Sequence, residues 1–562
     1  ALNGRDVFEP IGFDAFGIHS ENYAIKQGIH PNILTAHNVE RFRETQLKVS
    51  GNRYDWSHEV DTTDPRYYRW TQWIFVKLFK AGLAERKRAA VNWCPSCKTV
   101  LANEQVIDGL CERCDTLVEQ RELEQWFFKI TNYADRLLDH LDDIDWSEVV
   151  KTAQRNWIGR SVNPADRTVQ YHLRDWLISR QRYWGPPIPI IYCDTCGIVP
   201  VPEEQLPVLL PEVEDWKPSG TGSSPLAAIP SFVNTTCPAC GGAARRETDV
   251  SDNFLDSAWY FLRYPSTQFD DRPFDPELTA KWLPVDMYIG GREHSVLHLM
   301  YTRFITMALH DLGYLPFDEP FKRFRAHGII TKDGAKISKS RGNIINPDEY
   351  IGTWGADTLR TYLMFMGPYT QGGDFSDRGI SGVRRFLNRV WNLVVKHADR
   401  LNGGAAPSAY RRRLHQAIQR VTDDIGELGY NTAIATLMEY VSSLQRRDEL
   451  YAEEVEGLLL LLAPFAPHIV EELWERIGRP YSIHQQAWPA ADAVLLARET
   501  ETVAIQINGR TRATVELQAG AAQAEAVEAA RQVEAIQRFL NGTPIQRVVY
   551  VPGRIINLVV DP

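Results

Sequence analysis

Residues 333–343 read DGAKISKSRGN, which sets Lys336 and Lys339 three positions apart with Ser338 between them and glycines on both sides. Two ammonium groups this close can each donate to phosphate oxygens as compact point charges, and glycine lets a backbone approach a ligand. The chemistry that asks for such a stretch is polyphosphate binding. A solvated surface loop has the same composition, so the peptide alone leaves both readings open. The cysteines are more restrictive. All eight fall in C-x-x-C pairs: Cys94 with Cys97, Cys111 with Cys114, Cys193 with Cys196, and Cys237 with Cys240. Within NWCPSCKTVLANEQVIDGLCERC two knuckles lie close enough to close one tetrahedral thiolate site. Four thiolates leave no open coordination position, so the Zn²⁺ they predict is structural. YCDTCG and TTCPACGG repeat the knuckle across a long proline-rich insert and predict a second site, giving one or two Zn²⁺ in all. Disulfides are the other use of paired cysteines, and reducing compartments disfavour them.

The elements that must position these groups are legible as a change of pattern along the chain. NGRDVFEPIGFDAFGIHSENYAI reads as a short strand, a turn and a helix, with Asp14 at a pocket wall. PRYYRWTQWIFVKLFKAGL is a helix whose aromatics recur at core spacing, and LEQWFFKITNYADRLLDHL predicts another amphipathic helix. VDMYIGGREHSVLHLMYTRFITMALHDLG has the strand, glycine turn and helix of a nucleotide-binding α/β sheet. From about residue 376 the pattern is helical, and TVAIQINGRTRATVEL then reads as a hairpin with Asn-Gly at its turn. The predicted segments are 1–90 and 246–375 for an α/β domain, 91–120 and 193–245 for the cysteine modules, 121–192 for a connection, 376–495 for a helical bundle and 498–562 for a small α+β domain.

At 562 residues the chain exceeds a single core, and its apolar and charged fractions are those of soluble globular proteins. No window spans a bilayer, and the first residues lack the pattern of a secretion signal, which predicts a cytoplasmic protein without a membrane partner. A net charge of −10 argues against an all-basic surface, but RNA binding needs only a local basic stripe.

FDAFGIHSENYAI, YDWSHEVDTTDPRYYRWTQWIF, NWCPSCKTVLANEQVIDGLCERC, LRDWLISRQRYWG, VDMYIGGREHSVLHL, KISKSRGN, GADTLRTYLMFMGP, GVRRFLNRVWN and LLAPFAPHIVEELWERIG together resemble the class I aminoacyl-tRNA synthetases. The resemblance covers nearly the whole chain. ADTLRTYLMFMGPYTQGGDFSD and the closing QINGR...YVPGRIINLVV are similar to the leucine-specific bacterial branch; isoleucyl and valyl relatives share the SRQRYWG and KMSKS-like elements. It implies a class I synthetase Rossmann-like parallel sheet with zinc-ribbon insertions, an α-helical bundle and a small C-terminal α+β domain. It implies ATP with Mg²⁺, L-leucine and tRNA(Leu) as substrates and partners, and a monomer. The alternatives are a sibling isoleucyl, valyl or methionyl ligase and a non-catalytic paralogue that binds tRNA or leucine.

Residue by residue, KISKS resembles the family's KMSKS loop with Ile337 in the methionine position, which implies that Lys336, Ser338 and Lys339 bind ATP phosphates. Asp14 matches the position that holds the substrate ammonium, a carboxylate giving the charge-assisted bond such a group requires; a turn-forming Asp is the plain alternative. Phe254 and Ser257 fall where the family lines its leucine pocket, although a core aromatic would look the same. Gly290, Gly291 and Glu293 match the adenosine turn. His294 and His298, spaced i and i+4, are read as facing the site, in substrate contact or packing. Arg180, Arg182, Tyr183 and Trp184 resemble the segment that leads the tRNA acceptor end inward, where arginines pair phosphates and aromatics stack on bases; a solvated helix face is the alternative. Arg385, Arg389 and Arg510 are the further tRNA candidates.

Two departures stand out. The family's HIGH-like element has no match in these 562 residues, so the resemblance implies that its histidines and opening strand lie ahead of Ala1, and that residues 1–562 alone lack part of the ATP-activating apparatus. The family's large editing insertion between WIGRS and LRDW is replaced by VNPADRTVQYH, near 161–172, which predicts that no editing domain is present.

Overall fold

The computed structural model of the protein describes residues 1–165, 167–337, 343–496 and 500–561. It divides into two compact units, Ala1 with Asn3–Arg384 and Leu2 with Arg385–Pro562.

The core of the first unit grows around the helix Pro65–Lys80. The Asp64 carboxylate caps it by accepting from the Arg66 amide at 2.8 Å, and Pro65 occupies the first turn, where no amide partner is needed. Tyr67, Trp70, Ile74, Phe75 and Leu78 recur at helical spacing and are buried, so these aromatics pack as their pattern predicts. Tyr67 stacks on Trp259 with ring centroids 4.7 Å apart. The strands Ala84–Cys94 and Glu119–Phe128 pair antiparallel from Ala84↔Phe128 to Trp93↔Glu119 and carry the first cysteine module at their far end. Here the structure corrects the amphipathic helix expected over LEQWFFKITNYADRLLDHL. The chain is a strand through Phe128, then a turn at Ile130–Tyr133 and a short helix, Ala134–Asp139. Trp126, Phe127 and Phe128 are consecutive and all buried, the unbroken apolar run that periodicity alone cannot assign to helix or strand.

Where the family's insertion would stand, Ser161–Val162 pairs with Val169–Gln170 and the His172 amide donates to the Ile158 carbonyl at 3.0 Å. The chain thus leaves and rejoins one helix end, Glu148–Ile158, through a hairpin. The second cysteine module is a sheet in the order Gly197–Pro200, Ile190–Cys193, Ala243–Arg246, Asn234–Thr236.

Two short parallel sets of the first unit carry the candidate site. Gly12–Phe13 pairs with Val60–Asp61, and Tyr288–Gly291, Arg323–His327 and Asp145–Trp146 form the other, in that order. A third sheet carries the opening lysine stretch. Asp333 and Gly334, with φ of 54° and 71°, make a two-residue turn between Ile329–Lys332 and Ala335–Lys336. Gly334 therefore serves the hairpin rather than an approaching ligand. The Gly334 amide and the Thr331 hydroxyl both donate to Asp374 Oδ1, at 2.8 and 2.6 Å. Gly372–Phe375 pairs with the same strand in parallel, and a Cβ on Gly372 would meet the Ile329 carbonyl at 2.2 Å, so the pairing requires glycine there.

In the second unit the helices Ser408–Gly426, Tyr430–Leu444, Ala452–Leu462 and Pro467–Arg476 bury Leu414, Ile418, Ile434, Leu437, Leu458 and Leu473. The closing sheet runs Arg510–Gln518, Thr500–Ile507, Ile555–Val560, Ile545–Val551, with Asn508-Gly509 at the predicted turn. The helix Gln523–Gln532 buries Ala526 and Ala530 in that sheet's core. No helix among the described residues is long and apolar enough to cross a membrane.

Candidate active site

Asp14 follows directly on the strand Gly12–Phe13, at the carboxyl end of a parallel pair, the edge where open α/β sheets gather ligands. Gly12 is obligatory, because a Cβ would lie 2.6 Å from Val60 Cγ2 and 2.7 Å from the Tyr264 hydroxyl. The Thr62 hydroxyl accepts from the Ala15 amide at 2.9 Å and so fixes the backbone beyond Asp14. Asp14 is exposed, yet its carboxylate stands among neighbouring protein groups that desolvate it in part. That desolvation pushes its pKa up to about 7; a hydrogen bond from Asn253 works against the rise, and the neighbouring Asp252 and Asp61 carboxylates add to it.

Each neighbour already has partners. Asp252 pairs with Arg180 at 3.0 Å and accepts from Trp176 Nε1 at 3.1 Å. Asp61 accepts from the Thr63 amide and hydroxyl at 2.8 and 2.7 Å. Asp256, fully buried, accepts from the Thr71 hydroxyl at 2.8 Å, and burial followed by the Asp14 charge holds its pKa well above the carboxylate range. Among the described residues no ion pair reaches Asp14.

The short helix Asn253–Asp256 supplies both the Asn253 amide and, one residue on, Phe254. Phe254 is half-buried and meets Tyr301 edge to face at 6.0 Å, while the Ser257 hydroxyl donates to the Phe254 carbonyl at 3.4 Å. Asp14, Phe254 and Ser257 are thus brought together. Asn253 and Thr62, the supports of Asp14, and its like-charged neighbour Asp61 are missed by the sequence reading. Only Asn253 left a signal, its place beside Phe254 in SDNFLDSAWY.

Gly290 and Gly291 end the strand Tyr288–Gly291, again at a carboxyl edge. A Cβ on Gly291 would meet the Glu293 carboxylate at 2.2 Å, so the chain can fold Glu293 back over this turn only with glycine there. Glu293 and His294 are exposed. His294 lies in the turn that precedes the helix His298–Asp311, and its ring meets that of His298 edge to face at 6.3 Å. His298 is buried, bonded through Nε2 to the Tyr288 hydroxyl at 2.9 Å, and burial together with His294 lowers its pKa to about 3, so it is neutral and packs rather than titrates.

Lys336 is exposed at the end of its hairpin, and Asn343 Nδ2 donates to its carbonyl at 3.2 Å. Ser338 and Lys339 lie outside the described residues. Arg385 and Arg389 are exposed on the helix Asp377–His397, beside buried Phe386 and Val390; Arg510 is exposed at the hairpin turn of the closing sheet.

The largest correction concerns Arg180, Arg182, Tyr183 and Trp184, read above as a surface for RNA. All four are buried. Arg180 is committed to Asp252 and Arg182 to Glu21 at 3.0 Å; the Tyr183 hydroxyl donates to the Pro211 carbonyl at 2.8 Å and Trp184 Nε1 to the Ala15 carbonyl at 3.0 Å. The segment anchors the site from within.

In both cysteine modules the four Sγ atoms lie within 4.8 Å of one another. Cys94 and Cys114 are 3.4 Å apart, Cys97 and Cys114 3.6 Å, and Cys193 and Cys240 3.7 Å. These separations far exceed the roughly 2.05 Å of a disulfide. They suit the edges of a thiolate tetrahedron around Zn²⁺, whose Zn–S distance is about 2.3 Å. The donor set fits the metal.

A family model for tRNA synthetases class I (I, L, M and V) matches residues 32–376, and one for the anticodon-binding domain of tRNA ligase matches residues 409–529. The fold is that of a class I tRNA synthetase. Leucine–tRNA ligases of Dehalococcoides mccartyi strain 195 and Thermotoga maritima are each 40% identical, with 100% of this chain and 92% of the relative covered. The chain belongs to the leucine–tRNA ligase family. The first alignment runs over 749 positions against 562 residues here, so an internal stretch of that relative has no counterpart. The Agrobacterium radiobacter K84 agnB2 LeuRS, solved as a ternary complex with tRNA and LeuAMS, matches with a TM-score of 0.92 at 32% identity, covering 100% of this chain and 91% of that one. A Mycobacterium tuberculosis methionyl-tRNA synthetase, at 18% identity and a TM-score of 0.61, shares the fold.

Proposed function

We propose that the protein joins L-leucine to tRNA(Leu) in two steps, formation of leucyl-adenylate from ATP with release of pyrophosphate, then transfer of the leucyl group to the terminal adenosine hydroxyl. The observation that carries this reading is Asp14, a carboxylate at the carboxyl end of a parallel pair, hydrogen-bonded to Asn253, the neighbour in sequence of half-buried Phe254. An α-ammonium completes the carboxylate and an aliphatic side chain covers the ring. That pairing, with relatives named as leucine–tRNA ligases over the whole chain, favours leucine over the sibling amino acids and catalysis over mere binding.

In this reading the turn Gly290–Gly291 lets the adenosine approach, with the exposed Glu293 carboxylate accepting from ribose hydroxyls. As the leucine carboxylate attacks the α-phosphorus, charge builds on the departing pyrophosphate, and Lys336 and Lys339 stabilise it as it forms. Mg²⁺ would share that charge when bound with the nucleotide. Among the described residues only the two cysteine clusters could hold a metal, so Mg²⁺ belongs on the phosphates rather than in a protein cage. Exposed Arg385, Arg389 and Arg510 are proposed contacts to tRNA phosphates. We further take the protein to work as a cytoplasmic monomer, in a reducing compartment that keeps its zinc thiolates intact.

Changing Lys339 to Ala is expected to lower leucine-dependent ATP–pyrophosphate exchange by about 100-fold or more while leaving leucine affinity within about twofold, the pattern of an interaction made in the transition state. Unchanged exchange would exclude the role. The hairpin at 161–170 leaves no room for a hydrolytic domain, and aliphatic pockets discriminate poorly over one methylene. Mischarged tRNA should therefore persist with the purified protein, and rapid deacylation would contradict this.

The pH dependence follows from Asp14. Leucine's ammonium binds the carboxylate form, so leucine affinity should rise about tenfold per pH unit up to about 7 and level off above it. The free protein behaves oppositely. A folded-state pKa raised above the ordinary 3.8 of an aspartate contributes stability that is complete near pH 4 and lost as pH rises through 7. Leucine should thus raise the melting temperature more at about pH 8 than at about pH 6; equal shifts would count against the assignment.

A further inference from the structure

The first cysteine module lies against the helix that follows Asp14, through contacts that no catalytic step uses. The helix Ile18–Gln27 starts at Gly17, which has φ 111° and provides no side-chain cap. What holds its first turn comes from elsewhere. Arg182, with a side chain 2% exposed, donates through Nε to Glu21 Oε2 at 3.0 Å, through Nη2 to Asn22 Oδ1 at 2.6 Å, and through Nη1 to the carbonyl of Cys97, a residue of the first module. Asn22 Nδ2 also reaches Cys97 Sγ at 3.7 Å, and Arg113, between the cysteines of the second knuckle, donates to His19 Nε2 at 3.2 Å. The path continues inward. Fully buried Glu21 accepts from the Trp184 amide at 3.3 Å, the Trp184 carbonyl accepts from the Gly17 amide at 3.1 Å, and Trp184 Nε1 donates to the carbonyl of Ala15, the neighbour of Asp14, at 3.0 Å.

Resting on the leucine-ligase reading, we propose that Arg182 is a positioning residue that makes the first cysteine module part of the leucine site: with Zn²⁺ held by Cys94, Cys97, Cys111 and Cys114, the Cys97 carbonyl is fixed, and Arg182 transmits that position through Glu21 and Trp184 to the backbone beside Asp14. A guanidinium suits the task because its planar fork serves three acceptors at once, which a lysine ammonium on a flexible stem does not reproduce. A module without metal leaves the knuckle turn, and hence that carbonyl, undefined. The second module makes none of these contacts to the helix, so its occupancy should not matter to leucine.

The test compares leucine and ATP dissociation constants, by titration calorimetry, for the zinc-loaded protein, the protein after chelation, Arg182→Met, Arg182→Lys, and Cys196→Ser, which disables only the second module. Zinc released to a thiol titrant is counted for each. The expected result is leucine binding weakened about tenfold or more by chelation and by Arg182→Met, partial recovery in Arg182→Lys, no change in Cys196→Ser, and ATP binding within about twofold throughout. Chelation of the unaltered protein keeps the test decisive should Arg182→Met fail to fold. Leucine binding unmoved by chelation or by Arg182→Met, leucine and ATP weakened together, or a loss confined to tRNA binding would each overturn the inference. A zinc-loaded protein that binds no leucine at all would overturn the leucine reading itself.

Discussion

An aspartate crowded by three other carboxylates is the constraint around which this part of the first unit is arranged. Asp14 stands near Asp61, Asp252 and Asp256; desolvation raises the pKa of Asp14 and of Asp256, and the neighbouring like charges add to the rise. The fold manages this by giving every neighbour a partner: Arg180 and Trp176 for Asp252, Thr63 for Asp61, Thr71 for Asp256. Among the described residues Asp14, like Asp61 and Asp256, meets neutral groups, in its case the amide of Asn253. The field that costs stability in the free protein is the field that selects an ammonium.

Holding that arrangement requires close backbone approach, and the sequence provides it where a side chain would collide. Gly12 clears Val60 and the Tyr264 hydroxyl, and Gly291 clears Glu293. The buried RQRYWG segment supplies the remaining rigidity. Arg180 neutralises one carboxylate of the cluster, while Trp184 ties the backbone after Asp14 to the interior. Buried ion pairs of this kind add little net stability, since desolvation offsets attraction, but removing one partner is costly. Their value lies in fixing geometry.

Much of this was legible in the sequence because chemistry was concentrated in short motifs. The thiolate clusters follow from C-x-x-C spacing alone, and the Asn508-Gly509 hairpin and the bundle helices follow from turn chemistry and periodicity. What was not legible is three-dimensional. Asn253 meets Asp14 across 239 positions of chain, a pairing no local pattern encodes. Arg182 and Trp184 look like a nucleic-acid surface in sequence because composition cannot distinguish a basic-aromatic patch in water from one whose charges are paired inside. The strand through Trp126, Phe127 and Phe128 failed as a helix prediction for a related reason: burial on both faces erases the period of two. Gly334, read as freedom near a ligand, is a hairpin turn residue.

The central claim is that Asp14 gives up stability in order to hold an ammonium. Replacing it by the isosteric amide, Asp14→Asn, and following thermal unfolding near pH 8 with and without leucine measures both sides at once. The account predicts that the ligand-free variant melts at or above the temperature of the unaltered protein and that leucine no longer raises it. A variant that is less stable alone and still stabilised by leucine would contradict the account.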